Sequence, residues 1–334
     1  MGYFEYLIKF RRDMFILRLK IRKFISDRKT ARVIENINSQ VKNDNLISAI
    51  FNFIFKFIVL FVFGIFIIFP FYFMFVYALA PEDQILDTRV PVFWPNQFTW
   101  DNFTKAAQSG YFKALGITAS VSLIAVVGKV FFSMTFGYAF SLRKWRFKQL
   151  SWAIFLSILV LPETALIIGQ YRIMVMLGWN DGFQSIFALT APFIASVFSG
   201  LMFRQAFEEI PDRIKEASMV DGCSRIRYFF KVAIPMVSPT IWTVGILTAL
   251  AAWNATSWPL VILQSNSANV QTLNIWLLQK VGVADETMQV PGGYFKNIRM
   301  AGALLAVLPM FIVYFVFRSR IMKAVSRQGS TVKG

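Results

Sequence analysis

Long apolar runs separated by shorter polar segments set the pattern of this 334-residue sequence. Six of them match or exceed the 18 or so residues that cross a bilayer as a helix. The predicted spans cover about 50–78, 115–140, 151–171, 183–203, 239–263 and 300–317. The first contains an unbroken apolar run from Phe57 to Phe69. The pattern predicts an all-α, polytopic membrane protein with six transmembrane helices. A further short helix is expected near Thr272 to Val281, within the polar loop from Gln264 to Lys296. The loop from Pro81 to Gly110 carries Phe93, Trp94, Phe98 and Trp100, aromatic rings suited to a membrane interface.

Charge gives these spans an orientation. Eleven Lys and Arg precede the first span, four separate the second from the third, six separate the fourth from the fifth, and five follow the sixth. The other three loops hold only seven, and Lys56 and Lys129 lie inside spans. The positive-inside rule therefore places both termini in the cytoplasm. The net charge of +17 follows from topology. A nucleic-acid binder would gather its basic residues on one soluble surface, so no nucleic-acid partner is expected.

Composition agrees: 56% of residues are hydrophobic and 16% charged, against about 45–50% and 25% in soluble domains. The sequence has no His and a single Cys, Cys223. That leaves no imidazole base, no internal disulfide and no CxxC metal motif. No catalytic or metal-ligating residues are expected. No apolar core long enough for a cleavable signal peptide occurs in the first 46 residues. Residues 1–47 are read as a basic cytoplasmic extension, either a charged tail that fixes topology or a helix lying on an anionic lipid surface. Residues 48–322 form the transmembrane domain and 323–334 a cytoplasmic tail.

The most informative polar segment is 207–237, between the fourth and fifth spans. Pro211 suits the first turn of a helix, and Asp212 suits its positive end. Ile214, Ala217, Ser218 and Asp221 follow helical spacing. Asp221-Gly222 is a turn pair, and Gly can take the positive φ that ends a helix. Ser224 can cap a second helix that presents Ile226, Phe229 and Phe230 on one side. Pro235 is expected to end it. The product is a helix, a sharp turn and a second helix on the cytoplasmic side. An ordinary helical connection would share some of these features.

This loop resembles the EAA motif of membrane subunits of binding-protein-dependent ABC importers. That pattern is Glu-Ala-Ala, three residues, Gly, nine residues, then Ile-x-Leu-Pro. Here Glu216-Ala217-Ser218, Gly222 and Val232-Ala233-Ile234-Pro235 keep its spacing, with Ser218, Val232 and Ile234 as mild departures. Phe203-Arg204-Gln205-Ala206-Phe207, Leu161-Pro162, Trp253-Asn254 with Trp258-Pro259-Leu260, and Thr331-Val332-Lys333-Gly334 resemble further family landmarks in the same order. The likeness is to the carbohydrate, MalG-like branch, with glycerol-phosphate permeases as near relatives.

The resemblance implies a type I ABC importer permease fold in a prokaryotic cell membrane. It implies two ABC ATPase subunits, a second MalF-like permease and an extracytoplasmic solute-binding protein as partners, besides the lipid bilayer. The sequence lacks the Walker A pattern G-x-x-x-x-G-K-[ST]. ATP and Mg are therefore expected on the partner ATPase, with no cofactor and no enzymatic activity in this chain. Glu216, Ala217, Ser218, Asp221, Gly222, Ile234 and Pro235 are the implied ATPase-coupling residues. The implied cargo is a sugar, oligosaccharide or polyol, with glycerol-3-phosphate or a glycerophosphodiester as the alternative.

Polar and aromatic groups inside spans are functional candidates because their burial in lipid is costly. Trp253, Asn254, Ser257, Trp258, Glu163 and Gln170 are candidates for the substrate path, or for helix packing with interhelical hydrogen bonds. Lys129 and Glu163 are a candidate ion pair. Two other classes compete. A polytopic enzyme would need clustered acids, His or Cys. An ion-driven transporter would favour several intramembrane carboxylates, where Glu163 is nearly alone.

Overall fold

The computed structural model describes residue 23 and residues 46–86, 91–142, 145–263, 270–284 and 295–330, with the backbone alone at 46–49, 163–164 and 320–330. Most of the basic extension and the Thr331–Gly334 ending therefore lie outside the described residues, as does the Glu163 side chain. No β-strand occurs among those described.

The chain divides into residues 1–71 and 72–334. What is described of the first unit is chiefly the beginning of helix α1, Leu46–Leu79. Its Phe- and Ile-rich surface is exposed, with Phe53, Phe63 and Phe66 among the exposed rings. In water such a surface is untenable; in lipid it is the solvated state.

The second unit holds the remaining helices. In order they are α2 Glu82–Leu86, α3 Asp101–Gln108, α4 Tyr111–Ser141, α5 Lys148–Ile158, α6 Glu163–Met176, α7 Gly182–Ile194 and α8 Val197–Glu208. Then come α9 Asp212–Val220, α10 Arg225–Met236, α11 Ser238–Trp253, α12 Ser257–Ile262, α13 Leu273–Gln279 and α14 Lys296–Ser330. The α13 helix falls where the sequence places one, with Thr272 as its N-cap residue.

Among the described residues, three helices are long and apolar enough to cross a membrane unbroken: the α1 stretch Ile50–Leu79, α4, and the α14 stretch Lys296–Ser319. The other expected spans are interrupted. The third is two helices, α5 and α6, because Pro162 holds an extended backbone (φ −69°, ψ 132°) and starts α6 afresh. The fourth is the pair α7 and α8, bent by 51°. Ser196 makes that break by accepting the Ser199 amide as a new N-cap. The α10–α11 pair bends by 69° at Val237, and the fifth span breaks again between α11 and α12.

Helix α4 is the centre of the packing, against α7, α8 and α11. Its contact faces carry small residues. A Cβ on Gly128 would lie 3.1 Å from Ile194, and one on Gly137 would lie 2.8 Å from the Gly200 carbonyl. Small residues let helix backbones approach closely, which is how helices associate where lipid removes the hydrophobic drive.

Two prolines inside helices, Pro192 and Pro309, free carbonyls that distant side chains take up. Pro192 has no N–H for the carbonyl of Ala188, four residues earlier. The indole Nε1 of Trp258 donates to that carbonyl at 3.0 Å. Pro309 similarly frees Leu305, whose carbonyl accepts the Tyr111 hydroxyl at 3.0 Å. At the α11–α12 break the Ala255 carbonyl, which precedes the N-cap Thr256 and lies outside α12, accepts the Asn274 amide at 3.1 Å. In a bilayer no water replaces such bonds. Trp258→Phe should therefore lower stability by about 1–2 kcal/mol. Combined with Pro192→Ala the cost should shrink, because the helix then bonds Ala188 itself. A double-mutant cycle of thermal melts in detergent checks this; equal costs in both backgrounds would refute it.

At the opposite end of α4 from Ser141, Asn102 Nδ2 donates to the carbonyls of Ala78 and Ala80, both at 2.9 Å. Its Oδ1 accepts Asn297 Nδ2 at 3.1 Å. This buried amide pair fastens the end of α1, α3 and the start of α14.

Candidate functional site: the helix–glycine–helix loop

The loop between α8 and α10 has the geometry its residues require. Pro211 stands just before the first turn, with Asp212 opening α9. The helix closes through Asp221 N to Ala217 O at 3.0 Å and Gly222 N to Met219 O at 3.1 Å. Cys223 N reaches back to Ser218 O at 2.9 Å, a bond that turns the chain sharply. Gly222 has φ +72°, the left-handed region that a side chain resists. Ser224 then caps α10, its hydroxyl accepting the Arg227 amide.

Exposure separates the two faces of α9. Glu216, Ala217, Asp221 and Gly222 are exposed, and Val220 is 88% exposed. Ser218 is buried, and its hydroxyl donates to Lys215 O at 2.7 Å. Ser218 thus supports the helix from behind, while Glu216, Ala217 and Gly222 form its outward edge. Cys223 is half-buried.

The second helix departs from expectation in two respects. Ile226 and Phe230 share its exposed face, but Phe229 turns inward. Pro235 does not end it. A π turn over Phe229–Ala233 precedes Ile234–Met236, so Pro235 sits at the start of a fresh α turn, where its missing N–H costs nothing. The chain bends at Val237 instead. Ile234 is half-buried and Pro235 exposed.

An aromatic cluster that sequence reasoning missed anchors this loop. Tyr138 of α4, Phe207 of α8 and Phe229 meet pairwise, with ring centroids 4.5–6.2 Å apart. Met134, Phe203, Tyr228, Ala233 and Val237 complete a buried core around them. The Phe203–Phe207 spacing on one helix face is its sole local signal. The cluster packs the start of α10 against α4 and α8.

Of the candidate path residues, Trp253, Asn254, Ser257 and Trp258 lie at the α11–α12 break and Glu163 and Gln170 on α6. Asn254 caps α11, and its Nδ2 donates to Leu250 O at 2.9 Å. Ser257 is exposed at the start of α12. Asn274, absent from the expected set, donates to Ala255 O and to Thr256 Oγ1, both at 3.1 Å. Trp258 is only 6% exposed and packs in the core. Trp253 packs half-buried against a second core around Trp276. Gln170 is half-buried on α6, whose Ile167, Tyr171 and Met174 meet the Trp258 core. Broken helices are where transporters place their polar sites.

Comparison with known proteins places this architecture. No family model matches the chain. A probable ABC transporter permease protein of Mycoplasma pneumoniae is 46% identical over 90% of this chain and 95% of its own length. The diacetylchitobiose uptake system permease protein DasC of Streptomyces coelicolor is 30% identical, covering 78% of this chain and 89% of its own. The arabinooligosaccharides transport system permease protein AraQ of Halalkalibacterium halodurans is 27% identical over 80% and 91%. In fold, the chain is similar to a bacterial ABC transporter involved in the import of alginate, with a TM-score of 0.69, 21% identity, and coverage of 81% and 96%. With relatives matched along nearly their whole length, this multi-pass membrane chain belongs to the ABC transporter permease family.

Proposed function

We propose that this permease forms half of the translocation path of an importer for a sugar, oligosaccharide or polyol. Separate ATPase subunits, two per importer, bind the ATP and Mg and drive it. The observation that carries the reading is the exposed helix–Gly–helix edge at Glu216, Ala217 and Gly222, rooted in the aromatic core that joins α4 and α8. Asp221 closes its turn, and Ser218, Ile234 and Pro235 set its shape.

The cargo class is supported by relatives named for arabinooligosaccharides and diacetylchitobiose. A second cargo, glycerol-3-phosphate, is favoured by a 28% identical permease of that transport system in Brucella suis. The remaining partners are a second, MalF-like permease and an extracytoplasmic solute-binding protein. Both termini lie in the cytoplasm by the distribution of Lys and Arg. Asn254 and Ser257 at the α11–α12 break are candidate path residues, with Gln170 and Glu163 on α6.

Affinity purification of the tagged chain from mild detergent should bring an ABC ATPase and a second permease with it. Uptake assays with the cognate binding protein should separate oligosaccharide from glycerol phosphate. A chain that transports without an associated ATPase would reject the proposal. A reporter fused after Gly334 should be cytoplasmic; an external signal would reject the orientation alone.

A further inference from the structure

The C-terminal end of α4, the first turn of α5 and the two short loop helices enclose a cleft with unlike halves. One half, of about 360 Å³, is polar and is lined by Lys148, Lys215 and Asp212 beside Tyr138, Ser141 and Tyr228. The other, of about 560 Å³, is walled by Met219, Ile226, Phe229 and Phe230 and carries Arg225. Tyr138, Leu142, Lys215 and Tyr228 line both, so the two halves adjoin.

The charge in this space is net positive. Glu208 on its wall is engaged by Arg204, at 2.9 Å from Nε. Asp212 is then the one other acid lining the cleft, against Lys148, Lys215 and Arg225. The Lys148 ammonium donates to Leu142 O at 2.7 Å, which holds it at the edge of the cleft. An ammonium has three donors, so two remain for a ligand. In the apolar half, Ile226 is 73% exposed and Phe230 63%. The cleft sits where the apolar, span-length α4 ends, and the end of a membrane span is where lipid headgroups lie. An occupant anionic at one end and apolar at the other matches both halves. A free sugar or inorganic phosphate would leave Ile226 and Phe230 in water.

We propose that this cleft binds one anionic phospholipid. Its phosphate lies among Lys148, Lys215 and Arg225, and an acyl chain covers Ile226, Phe229 and Phe230. The lipid would then connect the α4–α5 end of the bundle to α9 through Lys215, and so tune how far the coupling loop moves. That the cytoplasmic leaflet supplies it rests on the orientation proposed above; the cleft itself does not.

Native mass spectrometry of the full chain in neutral detergent tests this. The probes are phosphatidylglycerol, phosphatidylcholine with the same acyl chains, and chain-free glycerophosphoglycerol. Phosphatidylglycerol adducts should persist while the other two are lost. The triple variant Lys148→Gln, Lys215→Gln and Arg225→Gln should bind it roughly a hundredfold more weakly, at about fivefold per cation. Ile226→Ser with Phe230→Ser should weaken it roughly tenfold. Lys105→Gln with Lys280→Gln, exposed bases elsewhere, should change nothing. Equal retention of phosphatidylcholine, equal binding of glycerophosphoglycerol, or an intact adduct in the triple variant would each overturn the proposal. Micelle binding does not depend on sidedness. Retained binding with an external reporter would therefore reject the orientation and keep the cleft.

Discussion

Gly137→Leu should leave the chain unable to assemble its helical bundle. A Cβ there would lie 2.5 Å from the Phe203 Cβ, 2.7 Å from the Arg204 amide nitrogen and 2.8 Å from the Gly200 carbonyl oxygen. Two of those three atoms are backbone, so no rotamer change relieves the clash. Helices α4 and α8 must separate, and with them the core around Phe203 and Phe207. Overpacking of this kind costs about 1–3 kcal/mol for small insertions and more for larger ones. Gly137→Ala should therefore already lower the melting temperature in detergent, and Leu should abolish a monodisperse folded peak. At Gly200 the obstacle is the Phe136 ring, a side chain, so Gly200→Ala should cost less. Gly116→Ala is the internal control. It lies on the same helix with nothing within 4 Å, and should be neutral or slightly stabilising. Equal melts for Gly137→Ala and Gly116→Ala would show that the close crossing does not hold the bundle together.

The second large effect is on coupling rather than stability. Gly222→Pro should abolish uptake and substrate-stimulated ATP hydrolysis while leaving the melt of the membrane bundle nearly unchanged. Proline fixes φ near −65°, whereas this residue stands at +72°. Proline also removes the amide that donates to Met219 O. The end of α9 then unwinds, and the outward edge at Glu216 and Ala217 loses its placement. The loop is exposed, so the damage stays local. A graded series separates turn geometry from other effects. Gly222→Asn should be tolerated, since Asn visits this region, and Gly222→Ala should cost about 1–2 kcal/mol locally. Glu216→Ala keeps the turn and removes the charge, so it should impair ATPase engagement without altering the backbone. If Gly222→Pro and Glu216→Ala both leave uptake and ATPase stimulation intact, the coupling assignment is wrong.

These two sites differ in how far they could be read from sequence. The turn was legible because it is local. Asp221-Gly222 and the Ser224 cap lie within a few residues of everything they control. The spans were legible because apolar runs need no knowledge of partners. The interruptions were not. Hydropathy passes smoothly over Leu161-Pro162 and Ala195-Ser196, since a helix break inside an apolar run changes hydrogen bonding and leaves hydrophobicity untouched. Pro192 and Pro309 mark where bonds are lost, yet the groups that restore them are Trp258 and Tyr111, far away in sequence. The Tyr138–Phe207–Phe229 cluster was hidden for the same reason. Trp258 shows the cost: its motif left both substrate path and helix packing open, and its indole serves a carbonyl of another helix.

Those proline-linked bonds also constrain the order in which the chain can change over time. Losing Pro192 first is permissive, because an alanine there restores the helix bond and merely makes the Trp258 contact redundant. Losing Trp258 first strands a buried carbonyl in a setting where nothing else can reach it. The same asymmetry holds for Pro309 with Tyr111. Each pair acts as a ratchet: once the proline has been accepted, its partner is entrenched, and the only inexpensive way back begins at the proline.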